Sequence, residues 1–422
     1  MKGEYLRKKV TSAICFLVLF FLISPLCRIS QAFDKNSFFY IVEAQILGGY
    51  SEISGKDGIG SVLADWLVSP ALKLQKNLTW VTLYSGSYER GAQVVTQEEG
   101  GRETQTTQDH SLSSFLKYDL TDRWFLKPIF FVDWVFVNET KDESFGDGLY
   151  DYRDLGGGLE SVWTTFSSAE REDQARLGFQ LFKREYPNYQ SLLFLFDPNG
   201  SPEVDEKDFD GYRANLSFNR RMKGSWSGGL EIISLYKDFT DKRTIDENGV
   251  RSATNTREDF VQYLNGHLSH PLTRELSFRL DGQFVANFSN LDFYATHQTL
   301  SLSDDDFVKD YFDYFAFTVR PSLSYSVKMS EDKTLVISGS YALNVLHYPG
   351  RPAQDAQGRY KEEDQEDLNH SFTVRSSVPL TKQVSWVTVL NYTLASSNQD
   401  FDAFYLYSYD RWSALTGVSF KY

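Results

Sequence analysis

Cysteine is almost absent from this 422-residue sequence. The two cysteines, Cys15 and Cys27, both lie close to the N-terminus, so a chain that loses this segment has none. Small secreted domains that depend on disulfide bonds carry many cysteines. That class of exported protein is therefore excluded.

The N-terminal segment nevertheless has the pattern of an export signal. A basic start (Lys2, Arg7, Lys8, Lys9) precedes a mostly apolar stretch from Thr11 to Leu26, and Ser30-Gln31-Ala32 supplies small residues for a peptidase. We predict a cleaved signal peptide over residues 1–32 and one exported domain over residues 33–422. The alternative is an uncleaved anchor, but the apolar core is shorter than the ~20 residues of a spanning helix.

Beyond this leader the sequence lacks both long apolar runs and a basic surplus. The mean hydropathy is −0.39 and the formal net charge is −14. An acidic chain is a poor partner for nucleic acid, whose phosphates require a basic surface. The low hydropathy does not exclude a membrane protein, because every second residue of a transmembrane strand can be polar.

Catalytic signatures are missing as well. No G-x-S-x-G, P-loop or H-E-x-x-H motif occurs. Asp109-His110-Ser111 has the residue types of a triad, but neighbours on a strand point to opposite faces. His267 and His270, at a predicted turn, would not share a face either. We predict no enzyme, no catalytic residues, no metal site and no cofactor, with an outer-membrane hydrolase as the least favoured alternative.

Alternation of apolar and polar residues is abundant. From Phe315 to Val327 every second residue is apolar except for Pro321, and polar or small residues fill most of the gaps. Similar segments run over residues 212–219, 276–288 and 335–344. They exceed the usual globular strand of about 5–6 residues and suit the ~9–11 residues that cross a bilayer obliquely. Pro321 removes a ladder hydrogen bond, so we predict a local bulge there.

The connections between these segments alternate in length. Seven short turns are predicted near 75–77, 120–123, 167–173, 222–225, 270–274, 329–333 and 379–383, and long polar connections near 89–109, 138–149, 188–210, 240–257, 289–311, 348–368 and 396–404. Short turns on one side and long loops on the other are typical of transmembrane barrels. We predict an all-β fold: a single antiparallel up-and-down transmembrane β-barrel of about 16 strands, with 14–18 possible because Ile59–Leu74 is irregular.

A soluble β-sandwich or a periplasmic β-solenoid could also alternate. Segment length, the regular phase of turns and loops, and the position of rings near segment ends favour the barrel. These rings are Tyr118, Trp124, Trp163, Trp226, Tyr325, Trp386 and Trp412.

The chain ends on Val418, Phe420 and Tyr422 at alternating positions. This stretch resembles the C-terminal signature of Gram-negative outer-membrane β-barrel proteins, and the hairpin pattern extends the likeness over the exported chain. The resemblance implies an assembly signal read by the barrel-assembly machinery, and contacts with outer-membrane lipid and lipopolysaccharide. The stretch around Ser397-Asn398 and 405–409 is loosely similar to the last hairpin of barrels associated with export or surface assembly.

Function must depend on the residues that line the lumen. If the apolar set faces lipid, the pore-lining candidates are Arg213, Glu231, Arg279, Asp281, Arg320 and Arg375. Charges of both signs suit an aqueous passage, and arginines tune which ions pass. We predict a porin-like channel or export conduit for a polar solute or polymer, with an anionic solute or polymer as the specific hypothesis. The alternative is a surface-assembly or structural barrel that works through its extracellular loops.

The connection over residues 188–210 contains two features of its own. Leu192–Phe196 is apolar, which fits either a segment folded into the lumen or an extension of the strand beyond the membrane. Glu206, Asp208 and Asp210 superficially resemble a calcium loop, but Ser217 stands where the closing acid is needed.

Overall fold

The structure, a computed structural model, describes residues 37–54, 58–92, 104–138, 144–189, 205–224, 226–295, 306–330, 333–402 and 406–422. The predicted signal peptide and the apolar segment 192–196 lie outside these residues. Within the described ranges, no helix is long and apolar enough to cross a membrane.

Sixteen strands form the main sheet, and two short ones form a separate hairpin. Their bounds are β1 Phe38–Ile53, β2 Ile59–Gln75, β3 Leu78–Ala92, β4 Thr104–Thr121, β5 Trp124–Asn138, β6 Tyr152–Ser167, β7 Arg171–Glu185, β8 Phe209–Met222, β9 Ser227–Ile245, β10 Arg251–Pro271, β11 Leu276–Ser289, β12 Phe293–Ala295, β13 Asp306–Val308, β14 Tyr314–Ser330, β15 Lys333–Gln354, β16 Tyr360–Pro379, β17 Val384–Ser397 and β18 Tyr409–Lys421.

The sheet closes on itself as an antiparallel barrel in which each strand pairs with its neighbours along the chain, except that β12–β13 is set aside and β18 pairs with β1. The seam runs from Glu43↔Lys421 to Ile53↔Arg411. Beyond it, the Tyr422 amide donates to the Val42 carbonyl at 2.8 Å. Closure matters because an open edge in hydrocarbon leaves backbone groups without partners, at several kcal/mol each. The prediction of sixteen strands is confirmed, and the segment that looked irregular is β2.

The seven short turns fall where they were predicted, at the end of the barrel where β1 begins and β18 ends. In barrels of this kind that end is periplasmic. The prediction of a long connection was wrong for two segments. Residues 240–257 and 348–368 are mostly strand, with turns only at 246–250 and 355–359. These hairpins have polar residues on both faces, and above a membrane both faces meet water, so their composition resembles that of a loop.

The apolar residues of the alternating pattern cover the outside. Leu155, Leu177 and Leu216 on β6, β7 and β8 expose 55%, 51% and 53% of their surface. A belt of such side chains would be costly in water and is stable in lipid. Most polar residues that alternate with this belt therefore face the lumen.

Pro321 lies on the outer face without a bulge. The ladder between β14 and β15 passes from Val319↔Leu343 to Ser322↔Ser340 with the register unchanged, and pairing with β11 continues through Leu280↔Pro321. The predicted bulge was wrong. The missing proline donor interrupts the ladder locally, on one side of the strand.

Two apolar clusters face inward, on different parts of the wall. One joins Phe182, Phe209, Leu235, Val261 and Val285 on β7–β11. The other joins Leu47, Val387, Val389 and Leu415 at the seam. In both regions, apolar side chains therefore pack together on the lumenal face of the sheet.

Candidate functional site

A polar cavity of about 550 Å³ lies on the lumenal side of β7–β11 and β14. Strand alternation creates it, since its charged and amide residues occupy the positions between the outward leucines and phenylalanines of the same strands. Its lining includes Arg176, Asn219, Glu231, Asn265, His267, Arg279, Asp281, Gln283, Thr318 and Arg320. Both charge signs are thus brought to one wall.

One row of the cavity is held by hydrogen bonds that cross neighbouring strands. Asn265 donates to Glu231 at 3.3 Å, and Gln283 donates to Asn265 at 2.9 Å. The register explains the contact, because Glu231, Asn265 and Gln283 are direct neighbours across β9, β10 and β11. Such amide networks hold a carboxylate in place inside a barrel.

The next row toward the periplasm carries the ion pair of the cavity. Asp281 accepts two hydrogen bonds from Arg279 Nε, at 2.8 and 3.0 Å, and one from its Nη2 at 2.6 Å. Arg320 stands directly opposite Asp281 in the register but has no carboxylate within salt-bridge distance among the described residues. Arg320 is therefore an uncompensated cation in this cavity.

Four of the six predicted pore-lining residues meet here: Glu231, Arg279, Asp281 and Arg320. Arg213 lies outside this cavity, where its guanidinium contacts Gln180 at 3.4 Å and the Phe182 ring at 5.5 Å. Arg375 is on a different part of the wall, at the seam. A role in selectivity stays a prediction for each of the six.

Arg375 instead forms a link across the closing strands. Its Nη2 donates to Gln45 at 2.5 Å, and Gln45 donates to Asp65 at 3.4 Å. Gln45 and Asp65 are on β1 and β2, whereas Arg375 is on β16, so the contact spans β17 and β18. This link joins the first and last parts of the chain on the lumenal side.

The seam also brings two backbones close together. A Cβ at Gly49 would lie 1.9 Å from the Ala414 carbonyl oxygen, and one at Gly417 would lie 1.9 Å from that of Ile46. Gly48, the next residue on β1, has nothing within 4 Å. Glycine is thus required by close approach at two positions and is free at their neighbour.

Val418, Phe420 and Tyr422, the predicted assembly signal, line the outer face of β18 and expose 42%, 37% and 56% of their surface. Tyr422 stacks on Tyr40 at 5.2 Å between ring centroids. This places an aromatic pair at the periplasmic end of the seam, where interfacial rings are common. Recognition by an assembly machine stays a prediction.

His267 and Asn265 were not among the sequence candidates. His267 was placed at a turn, but β10 continues to Pro271, so its ring faces the cavity opposite Gly229 and Asp281. His270 stacks on Trp226 at 4.4 Å, which confirms that the two histidines do not share a face. Asn265 and His267 are at alternate positions with Ser269 on β10, so extending the predicted strand to Ser269 would have placed both on the lumenal face.

The acidic loop that superficially resembled a calcium site is engaged in other contacts. Glu206 accepts a hydrogen bond from Lys242 at 2.9 Å, and Asp208 accepts the Tyr186 amide at 2.7 Å. Burial raises the pKa of the Asp208 carboxyl. Among the residues described, no group of three or more His, Cys, Asp or Glu side chains is arranged to hold a metal ion.

No family model matches this sequence, and no curated protein matches it. Solved structures align with most of this chain at low sequence identity. OprB of Pseudomonas putida is 10% identical over 92% of this chain and 95% of that one, with a TM-score of 0.47. OccAB1 of Acinetobacter baumannii is 12% identical over 91% and 96%, with a TM-score of 0.44. A bacterial polysaccharide outer membrane secretin is 12% identical over 90% and 98%, with a TM-score of 0.43.

Likenesses this weak carry no argument about function. The class of protein follows from the strands themselves: sixteen antiparallel strands form a closed ring with an apolar outer belt, and the short turns lie at the end where β1 begins and β18 ends. These features define an integral membrane β-barrel of the outer-membrane type.

Proposed function

We propose that this barrel is a porin-like channel or conduit for polar, anionic solutes. The single observation that supports this most directly is the polar cavity on its inner wall, where arginines outnumber carboxylates. Barrels of about sixteen strands enclose a lumen too wide for side chains alone to fill. Charges that face such a lumen act on the ions that cross it.

The anionic preference is supported by the pattern of ion pairing. Arg279, Lys127 and Arg257 are each bonded to a carboxylate of the wall. Three other inward cations, on β7, β8 and β14, have no carboxylate within salt-bridge distance in the described part of the chain: Arg176, Arg213 and Arg320. The Arg176 Nε is also buried without a hydrogen-bond partner. Two of these cations, Arg176 and Arg320, line the polar cavity, where three arginines face two carboxylates, and this local positive excess attracts anions.

Planar-bilayer recording tests this function. Purified protein should form long-lived conducting channels, and a salt gradient should produce a reversal potential of the sign expected for anion preference. Cation preference would contradict the anionic substrate, and the absence of any conductance from folded protein would contradict a channel.

The surface-assembly alternative rests on the projecting hairpin of β15 and β16. These strands have 22 and 20 residues, among the longest in the barrel, and their turn is tied by Arg359 and Asp355 at 2.7 Å. A rigid hairpin above the membrane could contact other molecules. Non-conducting but correctly folded barrels would favour this role over a channel.

A further inference from the structure

Above the polar cavity, rings and guanidinium groups alternate along the lumenal wall. The Arg184 guanidinium lies 3.9 Å from the Tyr152 ring centroid and 5.4 Å from that of Phe209. Phe209 packs on Phe239 at 5.3 Å. The stack continues through Arg257, which is 4.8 Å from Phe239 and 4.7 Å from Phe312 of the β13–β14 connection. We call these six residues the aromatic–guanidinium shelf.

Each guanidinium of the shelf is neutralised by a buried carboxylate. Arg184 donates to both oxygens of Asp154 at 2.7 Å. Arg257 donates to both oxygens of Asp259 at 2.8 Å. Two-pronged pairs of this kind are strong and satisfy both partners. The shelf itself is therefore electrically balanced.

Lys237 lies beside the shelf and is not balanced. It stands directly opposite Asp259 in the β9–β10 register, but Arg257 already occupies both oxygens of that carboxylate. The Lys237 ammonium is 5.6 Å from the Phe209 ring centroid. Within the described ranges it makes no hydrogen bond or salt bridge, so a half-buried charge lacks an anionic partner.

A half-buried ammonium group that contacts a ring but has no hydrogen-bond acceptor is unfavourable, unless an anion or water molecules accept its hydrogen bonds. Lys237 shares the lumenal face of β9 with Glu231 and Leu235 at alternate positions, so an oxyanion reaches it from the lumen. An oxyanion that approached there would gain a charge-assisted hydrogen bond without first breaking an ion pair. Arg184 and Arg257 offer no such advantage, since their carboxylates would have to be displaced.

We propose that Lys237 is a binding residue for the oxyanion group, phosphate or carboxylate, of a solute that enters the lumen. This inference rests on the proposed channel function and identifies the chemistry recognised at its outer half. It also separates Lys237 from Lys242, which is on the same strand but bonded to Glu206 at 2.9 Å.

The test compares two lysine variants of the full barrel. Inorganic phosphate, or acetate in a parallel series, is added to the outer side while chloride current is recorded. We expect at least one of these oxyanions to interrupt the wild-type current. Lys237→Gln should need about tenfold more of it for the same interruption, because one charged hydrogen bond is lost. Lys237→Arg should retain the effect, and Lys242→Gln should change it less than twofold.

If Lys237→Gln and Lys242→Gln weakened the interruption of current equally, the effect would come from the general positive charge of the outer end, and the proposal would be overturned. A Lys237→Gln variant as sensitive to the oxyanion as the wild type would overturn it too. A second readout does not require conduction: acylation of lysines in the folded, detergent-solubilised barrel, located by mass spectrometry. Phosphate or acetate should protect Lys237 and leave Lys242 unaffected. Protection in a barrel that fails to conduct would reject the channel but support the site; conduction without protection would reject the site alone.

Discussion

Inward-facing arginines have different surroundings in two regions of the barrel. On β7–β14, amides and charges line an open polar cavity, and several cations have no acid partner. On β16–β18, β1 and β2, Arg375 is bonded to Gln45, and apolar side chains pack inward at full burial, with Leu47 and Val387 at 0% exposure. The difference teaches that an inward arginine can be left without an acid partner in one region and be bonded across the closing strands in the other.

Closing the seam depends on two glycines, and this gives the largest expected effect. Gly49→Ala or Gly417→Ala would push a methyl group against a carbonyl oxygen of the partner strand. We expect destabilisation of roughly 1–3 kcal/mol for each, together with poor closure. The measurement is the fraction of protein that migrates as a compact, heat-modifiable band.

Gly48→Ala is the matched control, because the added methyl group meets open space. It should fold like the wild type. Equal damage from Gly48→Ala and Gly49→Ala would show that close approach at the seam is not the cause.

The link at Arg375 is the next way to separate the two walls. Arg375→Gln removes the hydrogen bond that spans β17 and β18 and leaves Asp65 without that nearby cation. We expect a loss of about 1–2 kcal/mol in unfolding free energy, measured by urea titration in detergent. Anion selectivity should change less than in Arg320→Gln. The reverse ranking would place Arg375 in the conducting wall.

The polar wall should respond in selectivity rather than in stability. Arg320→Gln removes an unpaired cation, so the ratio of anion to cation permeability should fall about twofold while folding is retained. The double variant Lys127→Gln, Glu160→Gln removes a neutral pair, joined at 2.9 Å, and should leave the ratio unchanged. Equal shifts in both variants would contradict the distinction between paired and unpaired cations.

The smallest effect is expected at the outer turn of β15 and β16. Hydrogen bonds from Arg359 hold the pKa of the Asp355 carboxyl below its usual range. A carboxylate with a lowered pKa stabilises the turn above its unfolded pKa, and this contribution is lost as pH falls through the lower, folded value. The amides of Gln357 and Arg359 donate to Asp355, so their protection from exchange, relative to the intrinsic rate at each pH, should fall in that acidic range; unchanged protection would contradict this.

Much of the fold could be predicted because strand period is a local property. Alternation and turn length identified the barrel, its strand number and all seven short turns. The projecting hairpins were missed because strands that are wet on both faces lose the alternating signal. The bulge at Pro321 was wrong because one missing donor interrupts the ladder without shifting its register.

The site was less predictable because register, not period, decides which side chains meet. Period alone placed Arg213, Arg279, Arg320 and Arg375 on the inner face, but only Arg279 and Arg320 share the cavity. Whether a cation is paired depends on which residues lie beside it on its own strand and on the adjacent strands, as in Arg279–Asp281 and Lys127–Glu160. Neither the Arg375 link nor the unpaired state of Lys237 has a signature in the linear sequence.

Thiol labelling tests the contrast between the walls most directly, since residues 33–422 contain no cysteine. Thr318→Cys lies in the polar cavity and Leu415→Cys in the apolar seam cluster. In folded barrels, a charged water-soluble thiol reagent should modify Thr318→Cys rapidly and Leu415→Cys only after denaturation. Equal protection of both, or faster labelling of Leu415→Cys, would contradict a wall that is wet in the polar cavity and packed in the apolar cluster of the seam.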